Sequence, residues 1–406
     1  MAQILLTPGP QPGGIVFLSA LQVLLLIPVV CGSIYGLLSL WAVLRFMRLP
    51  SAGPETFSGD WPPVTLLKPV CGMEKGLREN LRSSCLQDYP AFQVVFSVQR
   101  LDDPAVPLLE ELRQEFGRDL VTVAVEQCVA GPNGKINNLI GGLKHARHEI
   151  LVISDSDVRL RPNYLKTIVR PLSDPKVGYA CTLYKAVSAG NWFEQMELLT
   201  INADLTPNMV FALVTGASKF CLGASTALRR ATLESIGGLH SLADYLVEDY
   251  EMGRRIWSQG RRMVILPYLV ETVVDLKSPR AWWNHLVYWD QNNRAARPVA
   301  LFSTVLIRPV PFALLFALSS LGSLWGLAVL AATVTLRVTV AGIVMRWGLR
   351  DREGPRALWL LPFRDIAALA SWVLAFTKRT TIWRDVEFIL TKDGRLKLRE
   401  NAPCAS

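Results

Sequence analysis

Hydrophobic positions cluster at the two ends of the chain, and the first cluster predicts a membrane helix. Ile15 to Leu44 carries no charged side chain and is followed at once by Arg45 and Arg48. Because about 20 apolar residues span a bilayer, residues 1–49 are predicted to hold a transmembrane anchor. A cleaved signal peptide is the alternative, but Met1 to Gly14 contains no Lys or Arg, whereas signal peptides have a basic start.

The charges around this segment predict its orientation. An uncharged leader followed by a basic exit places the N-terminus outside and the long polar middle of the chain in the cytoplasm. We therefore expect an integral, multi-pass membrane protein with its folded domain on the cytoplasmic face. The membrane would be a bacterial inner membrane or a Golgi- or ER-type membrane.

Residues 64–275, which follow a Pro- and Gly-rich linker at 50–63, alternate short β-branched runs with helical patterns. Such alternation predicts an α/β domain with a mostly parallel sheet covered on both faces. The expected elements are strands Val64 to Val70, Gln93 to Val98, Leu120 to Val125 and Ile150 to Ile153, and helices Gly76 to Leu86, Val106 to Phe116 and Asn137 to Ala146. Ligands of open sheets lie beyond the carboxyl ends of the strands, so the polar segments Ser97 to Asp103, Glu126 to Asn138 and Ser154 to Asp157 mark the expected site.

Apolar character returns after this domain. Within residues 276–300, Trp282, Trp283 and Trp289 recur at roughly helical spacing beside arginines, which predicts an amphipathic helix at the membrane interface. Such a helix can also lie at the membrane surface without any catalytic residue. Gln291 and Arg294, three residues apart, share one face of it.

Residues 301–377 are predicted to form a C-terminal transmembrane region. Pro309 to Met345 is long enough for a tight helical hairpin, and its one charge, Arg337, can snorkel towards the interface. Ala357 to Thr377 contains Arg364 and Asp365, so it either crosses the membrane or lies re-entrant at its surface. The side on which the tail, residues 378–406, lies is left open.

The amino-acid composition and net charge indicate which kinds of partner the chain binds. Half of the residues are hydrophobic and the net charge is +9, with basic residues grouped beside the apolar segments. Attraction to anionic lipid explains that grouping better than nucleic acid does, so we expect a lipid bilayer as partner and no nucleic acid. The seven cysteines show no paired metal-ligand spacing, and we interpret them as packing residues.

The segment Ile150 to Asp157 is the strongest chemical signal, because a hydrophobic strand ends there in two carboxylates. Asp155 and Asp157 are two positions apart, so in an extended chain both point the same way. Both can face one divalent ion that bridges a diphosphate, or one can bind the metal while the other binds ribose or sugar hydroxyls. A solvated turn is the alternative.

A second acidic group, Val247 to Glu251, precedes a helical pattern. Carboxylates in a first helical turn are stabilised by the macrodipole, so a structural role explains them too. The preceding stretch Thr215 to Thr226 is rich in small residues, which let a backbone approach a ligand closely. A carboxylate beside such a surface is well placed to act as a general base.

Together these motifs resemble the lipid-glycosylating branch of the inverting glycosyltransferase family 2, the branch of the ceramide glucosyltransferases and bacterial hopanoid glycosyltransferases. The resemblance covers nearly the whole chain and depends on the order and spacing of many short motifs. They are Leu66 to Gly72, Gln87 to Pro90, Asp102 to Pro104, Gly134 to Leu139, Ser154 to Asp157, Leu228 to Arg230, Ile236 to Gly238 and Glu248 to Tyr250.

The resemblance implies a nucleotide-binding domain of the GT-A type, a UDP-sugar donor, a divalent cation (Mg²⁺ or Mn²⁺) and inversion at the anomeric carbon. By position, it assigns Asp155 and Asp157 to the donor diphosphate and metal, with Asp157 as metal ligand, and it makes Asp249 the base. It also assigns Lys135 and Asn137 to the donor region, and Gln291 and Arg294 to the family's Gln/Arg-x-x-Arg-Trp signature on the acceptor and diphosphate side.

Two departures from the family pattern bear on these assignments. Arg100 stands where the family has its first acidic residue, so either Asp102 or Asp103 contacts the uridine or that contact is lost. Ala295 stands where a tryptophan follows the last arginine.

We therefore expect transfer of a sugar, glucose by resemblance, from a UDP-sugar to the primary hydroxyl of a membrane lipid such as ceramide. A hopanoid or another lipid is the alternative acceptor. A processive polysaccharide synthase would need more helices around a pore, and a catalytically inactive membrane scaffold is the alternative of another class.

Overall fold

The structure, a computed structural model, describes residues 19–49, 60–217, 222–378, 380–383, 386–391 and 394–398. The leader, most of the linker and much of the tail therefore lie outside the described residues, as do Cys221 and Cys404. The anchor predicted from the N-terminal apolar run is helix α1 (Ala20–Phe46), whose N-cap is Ser19.

An eight-stranded mixed sheet organises the described part of the central domain. Its strands are β1 (Val64–Pro69), β2 (Phe92–Val98), β3 (Val121–Val125), β4 (Ile150–Ser154), β5 (Val158–Arg159), β6 (Val177–Val187), β7 (Ser225–Arg229) and β8 (Arg262–Val273). The order is β3-β2-β1-β4-β7-β6-β8-β5, with β7 and β5 running against the other strands. The α/β fold predicted from the alternating pattern is thus confirmed.

Helices cover both faces of this sheet, since all six residues of β1 are buried. They are α2 (Leu77–Cys85), α3 (Val106–Phe116), α4 (Gly134–Leu143), α5 (Tyr164–Val169), α6 (Trp192–Thr200), α7 (Thr206–Val214), α8 (Arg230–Ser235) and α9 (Glu248–Ser258). A π-helical turn, Ile201–Leu205, joins α6 to α7. Strands buried on both faces read as continuous apolar runs, which is why the sequence located β1, β2 and β4 within a residue or two.

The apolar C-terminal part forms helices α10 (Pro279–Ala296), α11 (Pro298–Ser303), α12 (Pro309–Ser319), α13 (Leu324–Ile343) and α14 (Leu361–Thr377). Within the described residues, three helical stretches are long and apolar enough to cross a membrane: Ala20–Phe46, Leu324–Gly348 and Gly354–Thr377. A fourth candidate, Pro298–Ile307 with Pro309–Ser319, is bent by 50°.

The helical hairpin expected between Pro309 and Met345 is present as α12 and α13, with α12 the shorter arm. Helix α1 packs against both arms. At the closest point a Cβ on Gly32 would lie 2.6 Å from Cδ of Pro309, so only glycine permits this approach. Small residues at such crossings are typical of helices that pack within membranes.

Arg337, the one charge expected within the hairpin, is paired with two carboxylates. Its Nε lies 2.9 Å from Asp365 Oδ2 and its Nη2 lies 3.5 Å from Asp204 Oδ1. Arg364 lies between the same two carboxylates, 2.7 Å from Asp204 and 3.0 Å from Asp365. The two arginines and two aspartates form a charge cluster that joins α13 and α14 to the π-helical turn.

The described part of the tail forms a small antiparallel sheet of β9 (Thr380–Trp383), β10 (Val386–Leu390) and β11 (Leu396–Leu398). It contacts the central domain, because the backbone N–H of Leu396 donates to the carbonyl of Asp244 at 2.8 Å. Leu246 donates in turn to the carbonyl of Gly394 at 3.2 Å.

Candidate active site

The two carboxylates predicted at the end of β4 lie on the same side of the chain. Ser154 and Ser156 are buried, whereas the alternate residues Asp155 and Asp157 are half-buried. Beneath them the ammonium of the fully buried Lys68 donates to the carbonyls of Asp155 (2.9 Å) and Val158 (2.7 Å). This tether fixes the turn that presents both carboxylates.

Asp157 sits among other negative charges. Burial, together with the charges of Asp155 and Glu74, raises its pKa to about 7. Glu74 is held there by a hydrogen bond from Ser156 Oγ to its Oε2, at 2.8 Å. A carboxylate whose ionised form is disfavoured in this way is stabilised when a cation joins it.

The carboxylate oxygens at this turn fit a divalent cation that is also bound by a diphosphate. No group of three or more His, Cys, Asp and Glu side chains in the described residues is arranged to hold an ion by itself. Mg²⁺ and similar hard cations, however, are often held by one or two carboxylates together with substrate phosphates. Asp155 and Asp157 offer such oxygen ligands, and Asp157 has the excess of negative charge around it.

Lys135, in the first turn of α4, links this pair to a second acidic group. Its Nζ lies 2.7 Å from Asp155 Oδ1 and 3.1 Å from Glu248 Oε1. Burial alone would lower the pKa of Lys135, but the carboxylates of Asp155 and Glu248 outweigh it and raise that pKa. Asn133, the N-cap of α4, also donates to Glu248 Oε2 at 3.2 Å.

Asn137, one turn further along α4, shapes the loop before the helix. Its Oδ1 accepts from the N–H of Ala130 at 3.0 Å, and its Nδ2 donates to the carbonyl of Gly131 at 2.8 Å. Of the two residues predicted in the donor region, Lys135 contacts a carboxylate of the site, and Asn137 positions the loop beside it.

Asp249 lies in the first turn of α9, against the backbone of the loop that precedes β7. A Cβ on Gly223 would lie 2.7 Å from Asp249 Oδ2, so any larger residue there would displace this carboxyl group. The backbone N–H of Tyr250 donates to Asp249 Oδ1 at 2.7 Å. Burial and the neighbouring charge of Glu248 raise the pKa of Asp249 to about 7, which suits a group that takes up a proton near neutral pH.

Asp102 and Asp103 follow β2, as the sequence predicts, and have different surroundings. Asp103 accepts hydrogen bonds from the backbone N–H groups of Gly72 (3.0 Å) and Ala105 (2.8 Å), so it ties the loop after β1 to the start of α3. Asp102 is exposed and pairs with Arg100, whose Nε lies 2.8 Å from Asp102 Oδ1.

Gln291 and Arg294 contact the end of α14 and the start of the tail. Gln291 Nε2 donates to the carbonyl of Thr380 at 2.8 Å. The guanidinium of Arg294 donates to the carbonyls of Ala375 and, at 3.2 Å, Lys378. These contacts place the pair where α14 ends and β9 begins.

A different face of α10 points towards the carboxylates, and the sequence reasoning missed it. His285 Nδ1 lies 2.9 Å from Oε1 of Glu197 on α6, and its ring stacks on Tyr288. Burial lowers the pKa of His285, but the charges of Glu197 and, more weakly, Asp157 outweigh this and raise it. The sequence contained one indication of this face. The family signature ends in a tryptophan, and Trp289 follows Tyr288, three residues after His285, whereas an alanine follows Arg294.

Comparison with known proteins gives consistent results. The profile of glycosyl transferase family 21 matches residues 24–396. Ceramide glucosyltransferase 1 of Caenorhabditis elegans is 24% identical over 353 residues, which is 84% of this chain and 74% of the relative. The ceramide glucosyltransferase of Candida albicans is 31% identical over 122 residues, 27% of this chain and 22% of the relative.

The fold also recurs in a solved structure. A mannosyltransferase from Pyrobaculum calidifontis, determined in complex with GDP-Man and Mn²⁺, superimposes with a TM-score of 0.52 at 20% identity. The match covers 88% of this chain and 98% of the other. The expected GT-A type of domain and the resemblance to ceramide glucosyltransferases are thus confirmed. The family that matches is family 21, whereas the sequence motifs were compared with family 2.

Proposed function

Because the chain belongs to glycosyl transferase family 21, we propose that this glycosyltransferase moves a hexose from a UDP-sugar to the primary hydroxyl of a membrane lipid, with inversion at the anomeric carbon. Glucose and ceramide are the donor sugar and acceptor that the relatives' names favour. The observation that carries the proposal is a pair of carboxylates suited to a diphosphate and cation, Asp155 and Asp157, together with a separate half-buried carboxylate, Asp249. The pKa of Asp249 is raised to about 7.

In this mechanism the chain's own residues perform three tasks. Asp155 and Asp157 would hold the donor diphosphate together with the cation, and Lys135, 2.7 Å from Asp155, holds that carboxyl group in place. A cation bound there neutralises charge that develops on the departing UDP. Asp249 accepts the proton of the lipid hydroxyl as its oxygen bonds to the anomeric carbon and the bond to UDP breaks.

The acceptor would reach this site from the membrane. The apolar stretch Met196 to Val214 includes the end of α6 and all of α7. Helix α6 packs against α14, and α7 packs against α1. Tyr35 of α1 donates to Asn208 Oδ1 of α7 at 2.8 Å. The domain is therefore fastened to a helix long and apolar enough to cross a membrane, close to where an amphiphilic acceptor would enter.

The direct test measures UDP release by the purified protein with UDP-glucose and Mn²⁺. The acceptors would be ceramide, a hydroxylated hopanoid or none, and lipid products would be followed by mass spectrometry. We expect release to rise with ceramide and a hexosylated ceramide to form. Acceptor-independent hydrolysis alone, or no turnover of any UDP-sugar, would contradict the proposal and favour an inactive scaffold.

The cation site has its own test. We expect Asp157→Asn to abolish Mn²⁺-dependent binding of UDP-glucose in calorimetric titration, because a neutral amide is a poor ligand for a diphosphate-bound cation. Its melting temperature without ligand should stay the same or rise, since one of several repelling carboxylates is removed. Asp88→Asn, at an exposed carboxylate paired with Lys166, is the matched control. Unchanged Mn²⁺-dependent binding in Asp157→Asn would remove this carboxylate from the metal site.

A further inference from the structure

Glu197 is a buried carboxylate that the proposed mechanism does not use. It lies on α6 and is 2% exposed. His285 approaches its Oε1 at 2.9 Å, yet within the described residues no N–H or O–H group meets either oxygen with hydrogen-bonding geometry. A buried carboxylate without hydrogen bonds is costly, so these oxygens are suited to receive donors from a ligand.

Two unpartnered donors lie on the helix that carries His285. In the described part of the chain, the indole N–H groups of Trp282 and Trp289 are buried without a hydrogen-bond acceptor. These residues are three before and four after His285, so all three side chains share one face of α10. The ring of Trp289 meets that of His285 edge-on, with centroids 5.7 Å apart. One helix face thus offers two free donors next to a carboxylate that lacks donors.

This group borders the reacting carboxylates. Tyr184, a buried residue of β6, has its pKa raised by burial and then by the charges of Asp249, Asp157 and Glu197. Tyr184 therefore lies within electrostatic reach of all three carboxylates, with Glu197 on the side of α6 and α10. Both helices pack against α14. The unpartnered groups are therefore on helices that contact α14 and are near the carboxylates of the reaction site.

We propose that Glu197 and His285, together with the indole N–H groups of Trp282 and Trp289, bind the polar head of the acceptor lipid. The inference rests on the proposed function and adds a selectivity to it. An ionised carboxylate only accepts hydrogen bonds, whereas the indoles only donate. The matching head group carries an N–H or second O–H donor, and an acceptor oxygen, beside the hydroxyl that receives the sugar.

An amide lipid meets this requirement, and an ester lipid does not. Ceramide presents an amide N–H and a second hydroxyl next to its primary hydroxyl. Diacylglycerol presents a primary hydroxyl beside ester oxygens and has no further donor. Sites built to hydrogen-bond a substrate group reject analogues that lack it, because buried polar groups of the site are then left unpaired.

The test compares Glu197→Gln with Glu194→Gln in the full-length protein, using short-chain ceramide and short-chain diacylglycerol in detergent micelles. Glu194 is the matched control, a buried glutamate one turn earlier on α6 that is bonded to Lys75 and to the N–H of Gly190. We expect Glu197→Gln to raise the KM for ceramide by about tenfold, the effect of one lost hydrogen bond to a charged group. The KM for UDP-glucose and the hydrolysis of UDP-glucose without acceptor should stay within about twofold. His285→Asn, which removes the imidazole beside Glu197, should change the ceramide KM in the same direction.

The possible results distinguish a failure of this inference from a failure of the proposed function. Wild-type preference for ceramide over diacylglycerol that shrinks in Glu197→Gln supports the head-group site. Transfer to ceramide with the same KM in Glu197→Gln and wild type would overturn the inference and leave the proposed function intact. A Glu197→Gln variant that melts at a lower temperature but keeps its KM for ceramide would also overturn the inference and leave the proposed function intact. Hydrolysis of UDP-glucose without transfer to any lipid would overturn both.

Discussion

At the scale of single residues, Asp249 is the side chain whose protonation should control the rate. Its pKa, raised to about 7 by burial and by Glu248, leaves it partly protonated at neutral pH. Only the ionised form can take the proton of the acceptor, so with UDP-glucose and Mn²⁺ saturating, kcat/KM for the acceptor should fall about tenfold per pH unit well below pH 7. Asp249→Asn should lower transfer by roughly two to four orders of magnitude with UDP-glucose affinity nearly unchanged. Steady-state rates across pH and calorimetric titration of the donor measure both effects.

The control for this variant has to come from the far side of the same helix. The adjacent Glu248 is unsuitable, because its carboxylate contacts Lys135, which in turn contacts Asp155. Glu251 is a better choice, since it pairs with Arg254 and Arg255 at 2.7 Å each. We expect Glu251→Gln to lose some stability and to keep its pH profile. If Asp249→Asn and Glu251→Gln slow transfer equally, Asp249 is not the base.

What the sequence could predict at this scale depended on distance along the chain. The two carboxylates after β4 are local, and the period-two rule places them on one side of the chain from sequence alone. Lys68 and Glu74 reach the same turn from more than eighty residues away, through strand pairing that no local pattern encodes. Glu197 and His285 meet only because α6 packs on α10.

At the scale of elements, α10 shows where periodicity stops being informative. Its tryptophans predict an interfacial helix, and whether the helix touches a membrane stays a prediction. The structure adds that Trp282 is buried and packs against Trp192 near the start of α6. A tryptophan stripe marks an apolar face equally well for lipid and for a neighbouring helix, so the sequence could not choose between them.

The contacts of Arg294 make a prediction about this helix. We expect Arg294→Gln to lower the free energy of unfolding by about 1–3 kcal/mol, because the last carbonyls of α14 lose a charged donor. The KM for UDP-glucose should change by less than about twofold. Arg297→Gln is the control, since Arg297 is exposed and donates to the carbonyl of Ala217 at 3.1 Å. A large rise in the KM for UDP-glucose with an unchanged melting temperature would instead indicate that Arg294 binds the donor diphosphate.

The charge cluster of Asp204, Arg337, Arg364 and Asp365 should behave as one unit. Replacing one cation leaves an uncompensated buried anion, so Arg364→Met should cost about 3–5 kcal/mol in thermal unfolding in detergent. The double variant Arg364→Met with Asp204→Leu restores neutrality and keeps the Arg337–Asp365 pair. We expect it to recover much of the loss. If both variants lose the same stability, the arginine acts through packing alone.

At the scale of the whole molecule, contacts at the ends of the apolar helices define two sides. Gln22, near the start of α1, donates to Ser320 Oγ in the turn between α12 and α13 at 3.2 Å. At the other end, Asn202 of the central domain donates to Asp351 Oδ2 at 2.9 Å. The loop after α13 therefore lies with the central domain, and the α12–α13 turn lies with the start of α1.

These contacts bear on the segment Gly354–Thr377, for which the sequence left crossing and re-entrant paths open. It is long and apolar enough to cross, yet it begins beside Glu353, whose Oε2 accepts from the N–H of Ser188 at 3.1 Å. It ends at the tail, whose Leu396 donates to Asp244. Both ends contact the central domain, so we predict that this segment returns to the side from which it starts and that α1 and the α12–α13 hairpin do the crossing.

Single-cysteine labelling in sealed vesicles tests this topology with a membrane-impermeant maleimide. The reporters are Cys71, exposed in the loop after β1, the native Cys404 of the tail, and Leu321→Cys in the exposed α12–α13 turn, each with the other cysteines replaced by alanine. We expect Cys71 and Cys404 to react from one side and the cysteine at 321 from the other. The tail can contact the central domain only if the chain crosses the membrane an even number of times between them. If Cys404 instead reacts from the same side as position 321, the segment Gly354–Thr377 spans the membrane.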